Sequence, residues 1–112
     1  MPQTMLGRGN LIYDWLIQPT LTWSAATVGA TTTAELTATV PGLQVGDYVD
    51  MYLAGAAITT GLAFTNIRVS AANTIAVTWV NSTAGGLTVQ TGPWLMNIVR
   101  PESTANLSTT AA

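Results

Sequence analysis

AFTNIRVSAANTIAVTWVN, residues 63–81, sets two alternating apolar runs on either side of a short polar hinge. Ile67 and Val69 share one face before the hinge, and Ile75, Val77 and Trp79 share one face after it. A period of two marks half-buried strands, because successive side chains of a strand point to opposite faces. The hinge is Ser70-Ala71-Ala72-Asn73, and Asn73 is a residue type that tolerates a left-handed backbone. The stretch reads as an antiparallel hairpin closed by a turn of about three to five residues. The rest of the chain must supply strands that pack against it.

Upstream, DYVDMYLA (47–54) turns Val49, Met51 and Leu53 inward and Tyr48, Asp50 and Tyr52 outward, and the small residues of GAAITTGL (55–62) form a loop. TTAELTATV (32–40) places Leu36, Ala38 and Val40 on one side and Glu35, Thr37 and Thr39 on the other. Pro41-Gly42 stops that strand, and Leu43 and Val45 in the following loop are apolar plugs for the end of a core. TLTWSAATV (20–28) alternates Leu21 and Trp23 with Thr22 and Ser24, and reads as the first strand of the body. Downstream, NSTAGG (81–86) is a turn cluster in which Asn81-Ser82-Thr83 also matches the glycosylation sequon. Leu87 to Gln90 is a short edge strand, Gly92-Pro93 breaks it, and WLMNIVR (94–100) is the last strand. It carries Trp94, Met96 and Ile98 on one face and Leu95, Asn97 and Val99 on the other. Apolar residues on both faces imply cover on both sides, by the core and by something else.

The two ends read differently. MPQTMLGRGNLI combines Pro2, Gly7 and Gly9 with scattered apolar residues, which disfavours helix and strand alike and points to an extended arm. LIYDWLI (11–17) alternates Tyr13, Trp15 and Ile17 with Asp14 and Leu16, stops at Pro19, and reads as an extended segment laid across a neighbour. ESTANLSTTAA (102–112) has no periodicity and is expected to be disordered unless a partner orders it. The expected organisation is an arm over 1–19, a body over 20–101 and a polar tail over 102–112. About six to eight short strands with no long helix predict an all-β fold, an antiparallel β-sandwich or small barrel of jelly-roll or immunoglobulin-like type, with an extended amino-terminal arm.

A chain of 112 residues is one domain, long enough to bury roughly 65% of its unfolded surface without staples. Hydrophobic residues make up 48% of it and charged residues 7%, against about 25% charged in an ordinary soluble domain. So little charge on a β-rich protein leaves strand edges and surface to be covered by partner copies, which predicts a homo-oligomer. The net charge of -2 and three dispersed arginines, Arg8, Arg68 and Arg100, do not form the basic footprint that nucleic acid requires. No run of about 18 apolar residues and no leader is visible, so neither a membrane span nor a secretory signal is expected.

Chemistry is scarce in this composition. With no Cys and no His, thiolate nucleophiles, imidazole bases and the usual zinc ligands are missing, and the many Ser and Thr hydroxyls have no histidine to activate them. Asp47 and Asp50 fall on opposite sides of a strand, which disfavours a paired-carboxylate site. The expectation is a protein without catalytic residues, cofactor or metal. Trp23 and Trp79 lie on inward faces and belong to the core, whereas Trp15 has the position of an aromatic anchor into a neighbouring subunit. Trp94, at a strand start, suits either role. An outward Tyr48-Asp50-Tyr52 set suits contact with a protein or a sugar as well as plain cross-strand packing.

TVPGLQVGDYV (39–49), FTNIRVSAANTIAVTWVNSTAGGL (64–87) and GPWLMNIVRP (92–101) together resemble small head- or tail-associated structural proteins of tailed bacteriophages. The likeness covers roughly residues 20–101. It rests on a threonine-rich strand running into Val45-Gly46-Asp47 and on the hairpin segment Arg68 to Thr74. It implies a virion component without enzymatic activity, a capsid decoration or cement protein at the capsid surface whose partner is the major capsid protein. The long aromatic amino-terminal segment departs from that pattern. Candidate partner-binding residues are Leu6, Arg8, Leu11, Ile12, Tyr13 and Trp15 in the arm, Tyr48 and Tyr52 on the outward face, and Trp94. A carbohydrate-binding or host-adhesion module using Tyr48, Tyr52 and Trp94 is the alternative.

Overall fold

A computed structural model describes residues 11–101 and builds them as eight strands: β1 (Leu11–Gln18), β2 (Thr27–Val28), β3 (Thr32–Thr39), β4 (Tyr48–Leu53), β5 (Leu62–Ala71), β6 (Thr74–Asn81), β7 (Leu87–Thr88) and β8 (Trp94–Pro101). Every ladder is antiparallel, and among the described residues there is no helix, hence none long and apolar enough to cross a membrane. Two three-stranded sheets, ordered β3-β6-β5 and β1-β8-β4, enclose the core as a β-sandwich, and β2 pairs with β7 as a small ribbon.

The hairpin β5–β6 forms as its alternation requires. Ile67 lies opposite Val77 and Val69 opposite Ile75, so the apolar residues of both strands share the inner face. Its turn is tighter than expected, because Ser70 and Ala71 stay in β5 and only Ala72 and Asn73 bridge to β6. Asn73 takes the left-handed position, at φ 62°. Two register irregularities, at Phe64/Asn66 and Val69/Ala71, bend β5.

The core is built around three tryptophans. Trp79 of β6 meets Trp23 at 5.5 Å and Trp94 of β8 at 6.0 Å, and Phe64 of β5 meets Trp79 at 5.4 Å, all in edge-to-face geometry. Such pairs set the positive ring edge against the negative ring face and add to the burial of the rings themselves. Trp23 and Trp94 both donate their indole N–H to the Gln90 carbonyl, at 3.0 and 3.1 Å. The Trp79 indole N–H has no acceptor among the described residues, and its ring neighbours are aromatic.

Three expectations need correction. Residues 20–28 do not form a body strand: only Thr27 and Val28 are in a ladder, as β2. Leu21 and Trp23 are buried as the alternation demands. The backbone from Leu21 to Ser24 bonds singly to two different neighbours, Leu21 N to Thr91 O and Ser24 N to Thr37 O, so no ladder forms. Residues 11–18, expected in an arm outside the sandwich, are extended but belong to it: β1 pairs with β8 without a break from Leu11 opposite Pro101 to Gln18 opposite Trp94. The cause is β8, a strand apolar on both faces that is paired along both edges, by β4 and by β1. Leu43 plugs the core, but Val45 is 70% exposed. The turn closed by the Asp47 N–H on the Gln44 carbonyl puts Val45 at its tip.

Candidate functional site

The outer face of the β1-β8-β4 sheet carries the exposed aromatics of the protein in cross-strand rows. Tyr13, Val99 and Tyr48 form one row, Trp15, Asn97 and Asp50 the next, and Ile17, Leu95 and Tyr52 the third. Each row follows from register: Val99, Asn97 and Leu95 of β8 each lie opposite one residue of β1 and one of β4. Alternation puts Trp94, Met96 and Ile98 into the core and leaves their neighbours on this side. The five large apolar or aromatic residues at the flanks, Tyr13, Trp15, Ile17, Tyr48 and Tyr52, are between 51% and 65% exposed.

Asp50 is the single charged side chain in these rows, and Asn97 sits between it and Trp15. The Asn97 side-chain oxygen is covered and has no hydrogen-bond partner among the described residues. Beside Tyr52, an apolar crevice of about 220 Å³ opens between β4 and β5, lined by Leu53, Ile58 and Phe64 among others.

The opposite sheet presents a different surface. Thr33, Glu35, Thr37 and Thr39 of β3 stand outward beside Thr78 and Thr74 of β6. Arg68 on β5 reaches across β6 to Glu35 with two parallel bonds, Nε to Oε2 at 2.8 Å and a terminal nitrogen to Oε1 at 2.7 Å. That contact holds the Glu35 carboxyl below its ordinary range, and both groups are solvated. One outer face is therefore hydroxylated and charged, the other aromatic.

The remaining arginine in the described residues is structural. Arg100 binds Asp47 through Nε to Oδ1 and a terminal nitrogen to Oδ2, each at 2.7 Å, and also donates to the Gly42 carbonyl at 2.8 Å. The Asp47 side chain is 1% exposed. The Arg100 hydrogen bonds hold its carboxyl below the ordinary range, outweighing burial, and the Gln44 N–H adds to the effect. Asp50, three residues further on, stands on the outer face, as the alternation of β4 requires. Among the described residues no three potential metal ligands cluster.

Of the partner-binding candidates, Tyr13, Trp15, Tyr48 and Tyr52 are brought together on one face, although they come from segments some thirty residues apart in the chain. Leu11 and Ile12 pair through their backbones with Pro101 and Arg100. Leu6 and Arg8 lie outside the described residues. Trp94 is corrected: it is fully buried, since its place in β8 aims it at Trp23 and Trp79, and it backs the crevice beside Tyr52 instead of standing on the exposed face. Asp50 stands outward with Tyr48 and Tyr52 as read, whereas Ile17, Leu95, Asn97 and Val99 were missed as members of the face. The signals were present, in the alternation of residues 13–17 and in the second apolar side of β8, but only the β1–β8 ladder joins them. No protein family matches this chain, and no curated protein or solved structure matches it significantly.

Proposed function

We propose that this protein is a non-enzymatic virion component of the capsid-decoration type, which seats the outer β1-β8-β4 face on coat-protein subunits. The observation that carries the reading is the aromatic face itself. Tyrosine and tryptophan supply large contact area at little conformational cost and dominate binding energy at the centre of protein interfaces. A face with one charge among three rows is suited to a protein surface of the same character. The bacteriophage likeness of residues 20–101 supplies the identity of that surface, the major capsid protein at the head exterior.

The test uses strand β4, which contributes Tyr48 and Tyr52 without holding a core position at either. Tyr48→Ser/Tyr52→Ser is expected to fold normally and to lose at least tenfold in occupancy on heads that lack the protein. Unchanged occupancy with normal folding overturns the reading.

A second reading has its own support. Tyr48, Tyr52 and Trp15 surround two groups able to hydrogen-bond hydroxyls, Asp50 and Asn97, which is an arrangement a sugar ring can use. Glycan-array binding abolished by Tyr52→Ala, with no attachment to heads, selects this carbohydrate-binding function instead.

A further inference from the structure

Exposed sheet edges are normally blunted by charge, proline, bulges or a covering segment, and the edges of this sandwich differ in that respect. On β3, the middle of the strand is covered: Thr37 O accepts from Ser24 N at 2.8 Å and Thr37 N donates to Ser24 Oγ at 3.0 Å. The edge of β5 is bent by two register irregularities and carries Arg68. Strand β4 is short and lies against β5 of the facing sheet. Strand β1 has no proline, no bulge and, among the described residues, no covering segment, and its charge is limited to one residue. It runs eight residues in unbroken register, bears one charge, Asp14, and among the described residues no strand pairs with its second edge.

We infer that the free edge of β1 pairs antiparallel with β1 of a second copy of this chain, about a two-fold axis at Trp15. The register follows from the residues. Directly opposed residues of an antiparallel pair lie on the same face, so a two-fold pairing that keeps both aromatic faces on one side must set a residue opposite its own counterpart. Centring on Asp14 sets two carboxylates directly against each other, which is unfavourable. Centring on Tyr13 leaves Leu16 and Ile17 beyond the partner strand. Centring on Trp15 keeps the ladder from Ile12 to Gln18, places Trp15 against Trp15 and Tyr13 against Ile17 on the outer face, and moves Asp14 opposite Leu16. Aromatic and branched cross-strand pairs of this kind are stabilising.

The consequence is one continuous sheet, β4-β8-β1 joined to β1-β8-β4 of the second copy. The β1 edge disappears, and the two aromatic faces become a single surface with the paired Trp15 residues at its centre. This concerns the edge of the face proposed above as the docking surface, and it extends that reading by naming the second copy as part of it. It is measured on purified protein without any coat lattice, so either can fail while the other stands.

The chain contains no cysteine, so single introduced cysteines report the register without background. Opposed Cα atoms in an antiparallel pair lie about 4.5–5.5 Å apart, within the roughly 4.4–6.8 Å that a disulfide spans. Trp15→Cys is expected to oxidise to a covalent dimer at least tenfold faster than the loop control Thr60→Cys. Tyr13→Cys alone is expected to behave like the control, because its counterpart is about 13 Å away along the strand. Mixed with Ile17→Cys it is expected to form the mixed dimer. Sedimentation velocity of the unmodified protein is expected to show a dimer, and Trp15→Lys, which sets like charges against each other, a monomer with unchanged circular dichroism. A monomeric unmodified protein, or Trp15→Cys dimerising no faster than Thr60→Cys, overturns the inference. So does an intramolecular bridge in Trp15→Cys/Ser103→Cys, which would put the chain's own end on this edge.

Discussion

The side-chain oxygen of Asn73, at the tip of the β5–β6 hairpin, accepts a hydrogen bond from the backbone N–H of Gly42 at 2.8 Å. The same residue donates its own N–H to Leu43 O at 2.8 Å and accepts Val40 N–H at 2.9 Å. The hairpin turn and the loop after β3 are thus one unit, and the residue that makes the turn left-handed is also the one that ties it down.

Two properties of Asn73 can be separated. Asn73→Gly keeps the left-handed backbone and loses the Gly42 bond, at a cost of about 1 kcal/mol. Asn73→Ala loses the bond and adds the left-handed penalty, about 2–3 kcal/mol in all. Asn73→Asp keeps the acceptor and should stay close to the parent. Thermal melts check the order, with about 4–8 °C expected per kcal/mol in a domain of this size.

The Asp47–Arg100 pair makes stability depend on acid. The Asp47 carboxyl has a lower pKa folded than unfolded, so its contribution is complete above the unfolded value and is lost as pH falls through the folded one. The melting temperature should be level between about pH 8 and 5 and fall below about pH 4. Asp47→Asn should melt lower than the parent at neutral pH and show a shallower acid decline. Glu35 shifts in the same direction, but its exposed pair with Arg68 should contribute little, so Glu35→Gln should leave the acid profile nearly unchanged.

Asn81 is the one polar residue among those described that is buried as a whole, backbone and side chain together, at 1% exposure. Its amide nitrogen donates to Val28 O at 2.9 Å and Gly85 O at 2.8 Å, and its oxygen accepts from the Thr83 N–H and hydroxyl, both at 2.8 Å. Asn81→Ala strands the Val28 carbonyl and should cost about 2–3 kcal/mol. Asn81→Asp should be at least as damaging at neutral pH, because a carboxylate cannot donate to those carbonyls. Both donor hydrogens are engaged inside the fold, so the sequon at Asn81 should be inert to an oligosaccharyltransferase added to the folded protein and reactive in the urea-unfolded chain, as intact mass would show.

Trp15 is exposed while Trp23, Trp79 and Trp94 are buried. Iodide should quench a single minor component of the tryptophan fluorescence, and that component should vanish in Trp15→Phe. Attachment through the β1-β8-β4 face should protect it from the quencher. Full quenching in the attached state would mean that another surface makes the contact.

Much of the fold was legible because alternation is a local property. The outward Tyr48-Asp50-Tyr52 set and the inward Val49 and Met51 were readable without any neighbour, since a single strand determines both. The two apolar sides of β8 were equally readable. Which strand covers its second edge was not, because a segment such as Leu11–Gln18, apolar but for Asp14 and Gln18, carries no mark of its partner. Trp94 was ambiguous for a related reason: a strand's first residue can point either way until the opposite sheet closes over one side. Residues 20–26 misled because burial of Leu21 and Trp23 looks like a strand pattern even where the backbone bonds do not form a ladder.

By itself the sequence determined that this chain is all-β, which residues of β3, β4 and β6 turn inward, and that Asn73 makes the hairpin turn, since these depend on side-chain alternation and on one residue's backbone preference. Tertiary structure alone decided that β1 joins β8, that Tyr13 and Tyr48 flank Val99 in one row, and that Trp94 lies in the core. Those relationships are set by ladders between segments distant in the chain, whose register depends on what the whole sandwich can bury at once.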